Sequence, residues 1–131
     1  YQGRLGAISR GTGRSLWFQD SNSYQTPVKS LDQVYVSEAD STVRAFRTGS
    51  GQVIWSNEDL FLRRVTSPAK LGGTIAVADA EGYLHLLDPV DGHFVARTKV
   101  NGSGVSAPML TVGESLIVQA NNGSLSAFKI Q

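Results

Sequence analysis

The stretch from Ile75 to Leu87 reads IAVADAEGYLHLL, and it decides the fold because it recurs along the chain. Segments that begin at Val34 (VYVSEADSTVRAF) and Leu116 (LIVQANNGSLSAF) repeat its pattern, with starting points spaced by 41 residues. Apolar and polar residues alternate within each copy, which is the periodicity of a β-strand. A turn pair such as Glu81-Gly82 lies at the centre, so each copy predicts two strands joined by a tight hairpin.

Flanking strands extend this hairpin to a unit of four. In the unit around residues 65–100, we predict strands over 65–71, 74–78, 83–88 and 93–100, because turn residues separate these apolar runs. Four short strands in about 40 residues are typical of one blade of a β-propeller. A β-sandwich also has short, evenly spaced strands, but it gives no reason for a sequence phase that repeats at 41 residues.

The repeat divides the chain into blades. We predict a partial first blade at 1–18, full blades at 25–56 and 65–100, and a partial last blade at 106–129. The fold class predicted is therefore all-β, a partial β-propeller of about three blades. Propellers close as rings of roughly four to eight blades. Three blades leave apolar faces open, so we expect the isolated chain to self-associate.

Composition restricts the classes of function. Twelve Lys and Arg residues oppose eleven Asp and Glu residues in the 131-residue chain, and no basic run is present. This balance argues against an electrostatic nucleic-acid surface. The chain has no cysteine, which excludes disulfides and thiolate chemistry from this stretch. No apolar run approaches the 18 or so residues of a membrane-spanning helix.

The acidic residues around one hairpin are the first candidates for chemistry. Asp79 and Glu81 flank the turn, and a carboxylate pair is a pattern of acid–base or metal sites. The preceding repeat has Glu38 and Asp40 at the equivalent positions, which favours a solvated turn over a catalytic pair. The sequence thus predicts no catalytic residue here.

His85 and His93 are the only histidines. Their spacing does not match a zinc site, and there is no cysteine to complete one. We predict that His85 is a solvent-facing strand residue. Residues 88–92 hold two acids beside a glycine but lack the ligand count of a calcium loop, so a blade turn is favoured. No metal and no cofactor are predicted.

One loop breaks the repeat pattern. Residues 59–64 read DLFLRR, and this segment is longer than its counterpart in the first blade. Apolar side chains beside arginines are typical of binding hot spots. The candidate partner-binding residues are Leu60, Phe61, Arg63 and Arg64. The alternative is that Leu60 and Leu62 pack into the blades while Arg63 caps a carbonyl.

The turn before the fourth strand carries a specific string. Segments 7–17 and 45–55 resemble the Ala-x-Asp-x-x-Thr-Gly-x-x-x-Trp motif of propellers related to pyrroloquinoline-quinone dehydrogenases. The resemblance implies that tryptophans dock between neighbouring blades and that glycines allow the tight turn. These residues are Trp17, Trp55, Gly13, Gly51 and Gly92. The third copy departs from the motif, since Ala96 stands where the Trp would be.

A narrower resemblance covers essentially the whole chain. Residues 58–68, 79–85 and 91–96 are similar to the C-terminal blades of the BamB family, propeller lipoproteins of the outer-membrane β-barrel assembly machinery. It implies an eight-bladed ring at the periplasmic face of the bacterial outer membrane, held there by a lipid anchor outside this stretch. It also implies a non-enzymatic scaffold that binds the barrel-inserting subunit.

The alternative function is a fragment of a pyrroloquinoline-quinone-dependent dehydrogenase. That class needs a calcium site and a central cofactor pocket to which all blades contribute. A partial propeller does not assemble such a pocket by itself, so the scaffold is favoured.

Overall fold

The computed structural model describes residues 3–21, 23, 25–30 and 32–130. In these ranges the chain forms thirteen β-strands, which build four antiparallel sheets. None of the described segments is a helix of the length and apolar character needed to cross a membrane.

Each sheet is a meander in which strands that are consecutive in sequence are neighbours in space. The first sheet contains β1 (Gly3–Ile8) and β2 (Ser15–Ser21). The second contains β3 (Val28–Lys29), β4 (Gln33–Ser37), β5 (Val43–Arg47) and β6 (Val53–Asn57). The third contains β7 (Ala69–Leu71), β8 (Thr74–Ala78), β9 (Tyr83–Leu87) and β10 (Phe94–Lys99). The fourth contains β11 (Leu110–Val112), β12 (Ser115–Gln119) and β13 (Leu125–Lys129).

The first strand of the third sheet is shorter than the sequence suggests. It begins at Ala69 instead of Val65, because Pro68 has no N–H to donate to a strand ladder. Thr66, which lies before this strand, is bonded to the last residue of β8 without strand pairing. Its N–H donates to the Ala78 carbonyl (2.8 Å), and its hydroxyl accepts from the Ala78 N–H (3.1 Å).

Two hydrophobic clusters form the core, and the third sheet contributes to both. Successive side chains of a strand point to opposite faces. On β8, Ile75 and Val77 therefore pack toward the second sheet, while Ala76 and Ala78 pack toward the fourth. The third sheet is thus covered on both faces, which explains why β8 is apolar at nearly every position.

The outer faces of the first and fourth sheets are open. They expose large apolar side chains, and at four of these positions (8, 110, 112 and 125) the equivalent residue of an inner sheet is buried. These side chains are Ile8, Leu16, Phe18, Leu110, Val112 and Leu125. The expectation that the isolated chain self-associates stays a prediction.

Candidate protein-binding site

The loop that follows β6 is held in one shape by hydrogen bonds. The buried Asn57 side chain accepts from the N–H of Asp59 (2.9 Å) and donates to the carbonyl of Gly92 (2.7 Å). Farther on, the N–H of Leu62 donates to the carbonyl of Asp40 in the preceding hairpin (2.9 Å). The loop is therefore fixed to both the second and the third sheet.

The apolar side chains of this loop divide between core and surface. Leu60 is 2% exposed and belongs to the cluster between the second and third sheets. The prediction that Leu60 contacts a partner is therefore wrong; the residue anchors the loop instead, because its side chain is not accessible. Phe61 and Leu62 are 58% and 69% exposed. The alternative in which Leu62 packs into a blade is wrong as well.

Two residues of the loop have a strained backbone conformation. Leu62 and Arg64 have φ angles of 61° and 57°, in the left-handed region that non-glycine residues rarely adopt. Each such residue costs roughly 1 kcal/mol or more. Strain of this kind persists where the surrounding structure imposes it, and it clusters at functional sites. Arg64 is exposed as well, three residues after Phe61 in the chain.

Beneath the loop lies a buried carboxylate with four donors. Asp79 is fully buried. Its Oδ2 accepts from Arg63 Nε (2.9 Å) and His85 Nε2 (2.7 Å). Its Oδ1 accepts from the N–H groups of Glu81 and Tyr83, both at 3.0 Å. The predicted solvated turn is therefore wrong for Asp79, because the loop covers it, although Glu81 is exposed as predicted.

Burial also corrects the prediction for His85. This side chain is 2% exposed, since it lies on the face of β9 that packs toward the second sheet, and the Phe94 ring lies 5.8 Å from it. Burial lowers the pKa of His85 in spite of its hydrogen bond to Asp79. The imidazole is therefore neutral near pH 7, and its Nε2–H donates to the carboxylate.

The Asp79 carboxylate stays ionised. Burial acts to raise the pKa of Asp79, but the hydrogen bonds from His85, the Tyr83 N–H and Arg63 outweigh it and hold the pKa below its usual range. The hydrogen bond to Asp79 raises the pKa of Arg63. The alternative in which Arg63 caps a carbonyl is thus wrong for its side chain, which forms an ion pair.

An equivalent pair in the second sheet was the signal that sequence analysis missed. Arg44 Nε lies 3.1 Å from Glu38 Oε1, at the repeat positions of His85 and Asp79. Both repeats therefore place an acid at the end of the second strand and a basic side chain six residues later. Across the described ranges, no group of three or more His, Cys, Asp or Glu side chains is placed to hold a metal ion.

At the opposite end of the strands from this loop, tryptophan side chains join each sheet to a hairpin turn of the next sheet. The indole N–H of Trp17 donates to the carbonyl of Thr48 (2.6 Å), and that of Trp55 donates to the carbonyl of Pro89 (2.9 Å). Their rings lie on Gly51 and Gly92 so closely that a Cβ at either glycine would overlap the ring. Gly13 has a similar φ of 69°, but a methyl group there would meet none of the described atoms within 4 Å.

Repeated antiparallel meanders joined by tryptophan–glycine contacts define a β-propeller of the pyrroloquinoline-quinone-like class. Quinohemoprotein alcohol dehydrogenase from Comamonas testosteroni superposes with a TM-score of 0.67 and 22% identity, over 83% of this chain and 19% of that one. This likeness shows the fold alone. The predicted fold class, a partial propeller, is confirmed.

The family model described as outer membrane protein assembly factor BamB matches residues 1–57 and 39–131, so the chain belongs to the BamB family. The factor from Pseudomonas aeruginosa is 37% identical over all of this chain and 34% of its own length. The one from Bordetella pertussis is 39% identical over 95% of this chain and 33% of its own length. The chain thus spans about a third of the length of these relatives.

A solved structure agrees with the sequence comparison. The crystal structure of BamB from Moraxella catarrhalis superposes with a TM-score of 0.92 and 27% identity, over 98% of this chain and 39% of that one. The resemblance predicted from residues 58–96 is confirmed.

Proposed function

We propose that this chain is part of a non-enzymatic scaffold that takes part in outer-membrane protein assembly. In this role it binds the barrel-inserting subunit at the periplasmic face of the outer membrane, and a lipid anchor elsewhere in the protein holds it there. The names of its relatives support the assembly role. The observation that carries the binding role is the rigid loop at residues 58–64, which presents Phe61 and Arg64 at the surface.

The loop has the properties of a preorganised contact surface. Its shape is fixed by the Leu60 anchor, by the ion pair of Arg63 with Asp79, and by backbone hydrogen bonds. A surface that is rigid before binding loses less conformational entropy when the partner arrives. Aromatic and arginine side chains are also the residues that contribute most at interfaces.

The dehydrogenase alternative has less support. The quinohemoprotein neighbours share the fold at identities below a quarter, and a shared propeller fold does not carry chemistry with it. We propose no cofactor for the described residues.

The test is a binding measurement on the full-length protein. Phe61→Ala with Arg64→Ala should weaken binding to the purified periplasmic domains of the barrel-inserting subunit by roughly tenfold or more, as expected for hot-spot residues. A matched control is Val90→Ala with Arg14→Ala. It removes an exposed apolar side chain and an exposed arginine from hairpin turns at the other end of the strands. Equal affinities of the two double variants would reject the loop as the binding surface.

A further inference from the structure

Strand β10 is the outer edge of the third sheet, and β9 is its only pairing partner among the described strands. All six of its residues are exposed. The outer strand of the second sheet, β6, instead buries Trp55 and Asn57. Ala96 occupies the position of Trp55 in the repeat, so β10 has no side chain that docks on a following blade at that position.

Two cations of β10 lie on one face of the sheet, around a single aromatic ring. The guanidinium carbon of Arg97 is 4.9 Å and the Lys99 Nζ is 4.6 Å from the centre of the Tyr83 ring. Arg97 pairs with His85 and Lys99 pairs with Tyr83 across the strands. The equivalent positions of the second sheet hold other residues. These are Ser56, Glu58 and Thr42.

The three cations near the Tyr83 ring differ in whether they form ion pairs. Arg63, the third cation near the ring (5.9 Å), is neutralised by Asp79 and by Glu81. Within the part of the chain that the structure describes, neither Arg97 nor Lys99 forms an ion pair. Two uncompensated positive charges on adjacent positions of one face repel each other, and a carboxylate between them would relieve that repulsion.

A cleft of about 280 Å³ lies beside Arg97. Its lining includes Leu60 and Phe94 together with Asp59, Arg63 and His85. The space is of the size of one large side chain, and its walls combine two apolar residues with four polar or charged ones. Leu60 and Phe94 suit an apolar side chain, and Arg97 suits an acidic residue beside it.

We propose that β10 is a docking edge for an extended acidic segment of a partner protein. The segment adds a strand to the sheet, as in other cases of strand addition. Residues at alternate positions of a strand are about 7 Å apart on the same face, so two acidic residues separated by one position meet Arg97 and Lys99. An apolar side chain at the next position on that face enters the cleft. This site shares the cleft with Asp59, Leu60 and Arg63 of the loop, but it does not use Phe61 or Arg64, and it goes beyond the proposed function.

Protection of a sheet edge is the rival explanation for these charges, because lysines on exposed edges discourage aggregation. The neighbouring outer strand β6 reads VIWSN and carries no charged residue. The fold therefore does not require cations at an outer edge. A membrane surface is the other rival, but the guanidinium of Arg97 lines a cleft between two sheets, where a peptide side chain fits better than a lipid headgroup.

The test uses the full-length protein and fluorescent peptides. The first peptide has an N-terminal Val followed by alternating Thr and Asp residues. The second peptide is the same except that Asn replaces each Asp. We expect the Asp peptide to bind and Arg97→Gln with Lys99→Gln to weaken it by roughly tenfold or more, since each lost charge-assisted hydrogen bond accounts for about that factor. Lys29→Gln with Lys70→Gln is the control, because it removes the same charge from other exposed positions.

Several results would overturn the proposal. Equal binding of the Asn peptide would show that the charges are not recognised, and an equal loss in the Lys29 and Lys70 control would show a general charge effect. A variant at Arg97 and Lys99 that self-associates while binding the Asp peptide normally would favour edge protection. Binding of phosphatidylglycerol vesicles through Arg97 and Lys99, without binding of the Asp peptide, would assign the cations to a lipid surface.

Discussion

The indole ring of Trp55 covers Gly92 of the next sheet and leaves no room for a methyl group there. Trp17 and Gly51 have the same relationship one blade earlier. In both cases the indole N–H reaches a carbonyl of the turn that contains the glycine. The contact is therefore a repeated joint between blades, and it can be tested at each occurrence.

Gly92→Ala should destabilise the protein far more than Gly13→Ala. Both glycines have positive φ (80° and 69°), so each substitution adds backbone strain of about 1 kcal/mol. At Gly92 the methyl group must also displace the buried Trp55 ring, and overpacking of this kind adds about 1–3 kcal/mol. Urea unfolding measures both values. Equal losses would mean that the ring contact contributes nothing.

Trp55→Phe should cost more stability than Trp17→Phe. Each substitution removes an indole N–H that donates to a turn carbonyl, a loss of about 1 kcal/mol. Trp55 is 7% exposed whereas Trp17 is only half-buried, so the smaller ring also leaves a cavity at position 55. Comparison of the two unfolding midpoints checks the order, and a reversed order would contradict it.

Asp79→Asn should loosen the loop at residues 58–64. The substitution leaves the Arg63 guanidinium beside a buried site without its countercharge. Breaking a buried ion pair lowers the free energy of unfolding by about 3 kcal/mol. The partial exposure of Arg63 makes the loss smaller here. Hydrogen exchange read by mass spectrometry should show faster exchange in the loop. Glu81→Gln is the control, because Glu81 is exposed and its pair with Arg63 is long (3.5 Å). The same exchange rate in both variants would contradict the prediction.

Stability should fall as the pH falls from about 7 to about 5, with a contribution from His85. The unfolded histidine has a pKa of about 6.5, and burial lowers the folded value. In this window the unfolded state therefore binds the proton first, which favours unfolding. Arg63 and Arg97 face the imidazole and also lower the pKa of His85, whereas Asp79 acts to raise it. In the His85→Gln variant, the free energy of unfolding should therefore decrease less steeply as the pH falls.

His93 is the matched control for this pH dependence. Its hydrogen bond to Asp91 raises the pKa of His93, so the folded state binds that proton first and gains stability as the pH falls. His93→Gln should therefore make the fall steeper, opposite in sign to His85→Gln. Parallel urea titrations of both variants measure the slopes, and slopes that change in the same direction would refute the assignment.

The isolated 131-residue chain should self-associate through its open faces. Leu110 and Leu125 are exposed on the fourth sheet, and apolar patches of this kind drive association. Leu110→Lys with Leu125→Lys should shift the chain toward monomer in sedimentation experiments. A chain that is already monomeric at micromolar concentration would contradict this.

The fold could be predicted from sequence because its signals are local. Alternation around Val77 and the turn at Gly82 lie within one hairpin, and the repeat supplies three copies of each. The buried cluster could not be predicted in the same way. Asp79 and His85 are covered by Arg63 and Leu60, which reach them from a connection whose path depends on two left-handed residues. No periodicity in the sequence marks such a path.

The ion pair between Arg63 and Asp79 attaches the loop to another sheet. The loop leaves the second sheet at Asn57, yet its far end is fastened to a hairpin of the third sheet. A partner that holds Phe61 and Arg64 therefore holds two adjacent blades at once. Any change in the angle between those two sheets would therefore move the exposed Phe61 and Arg64 side chains.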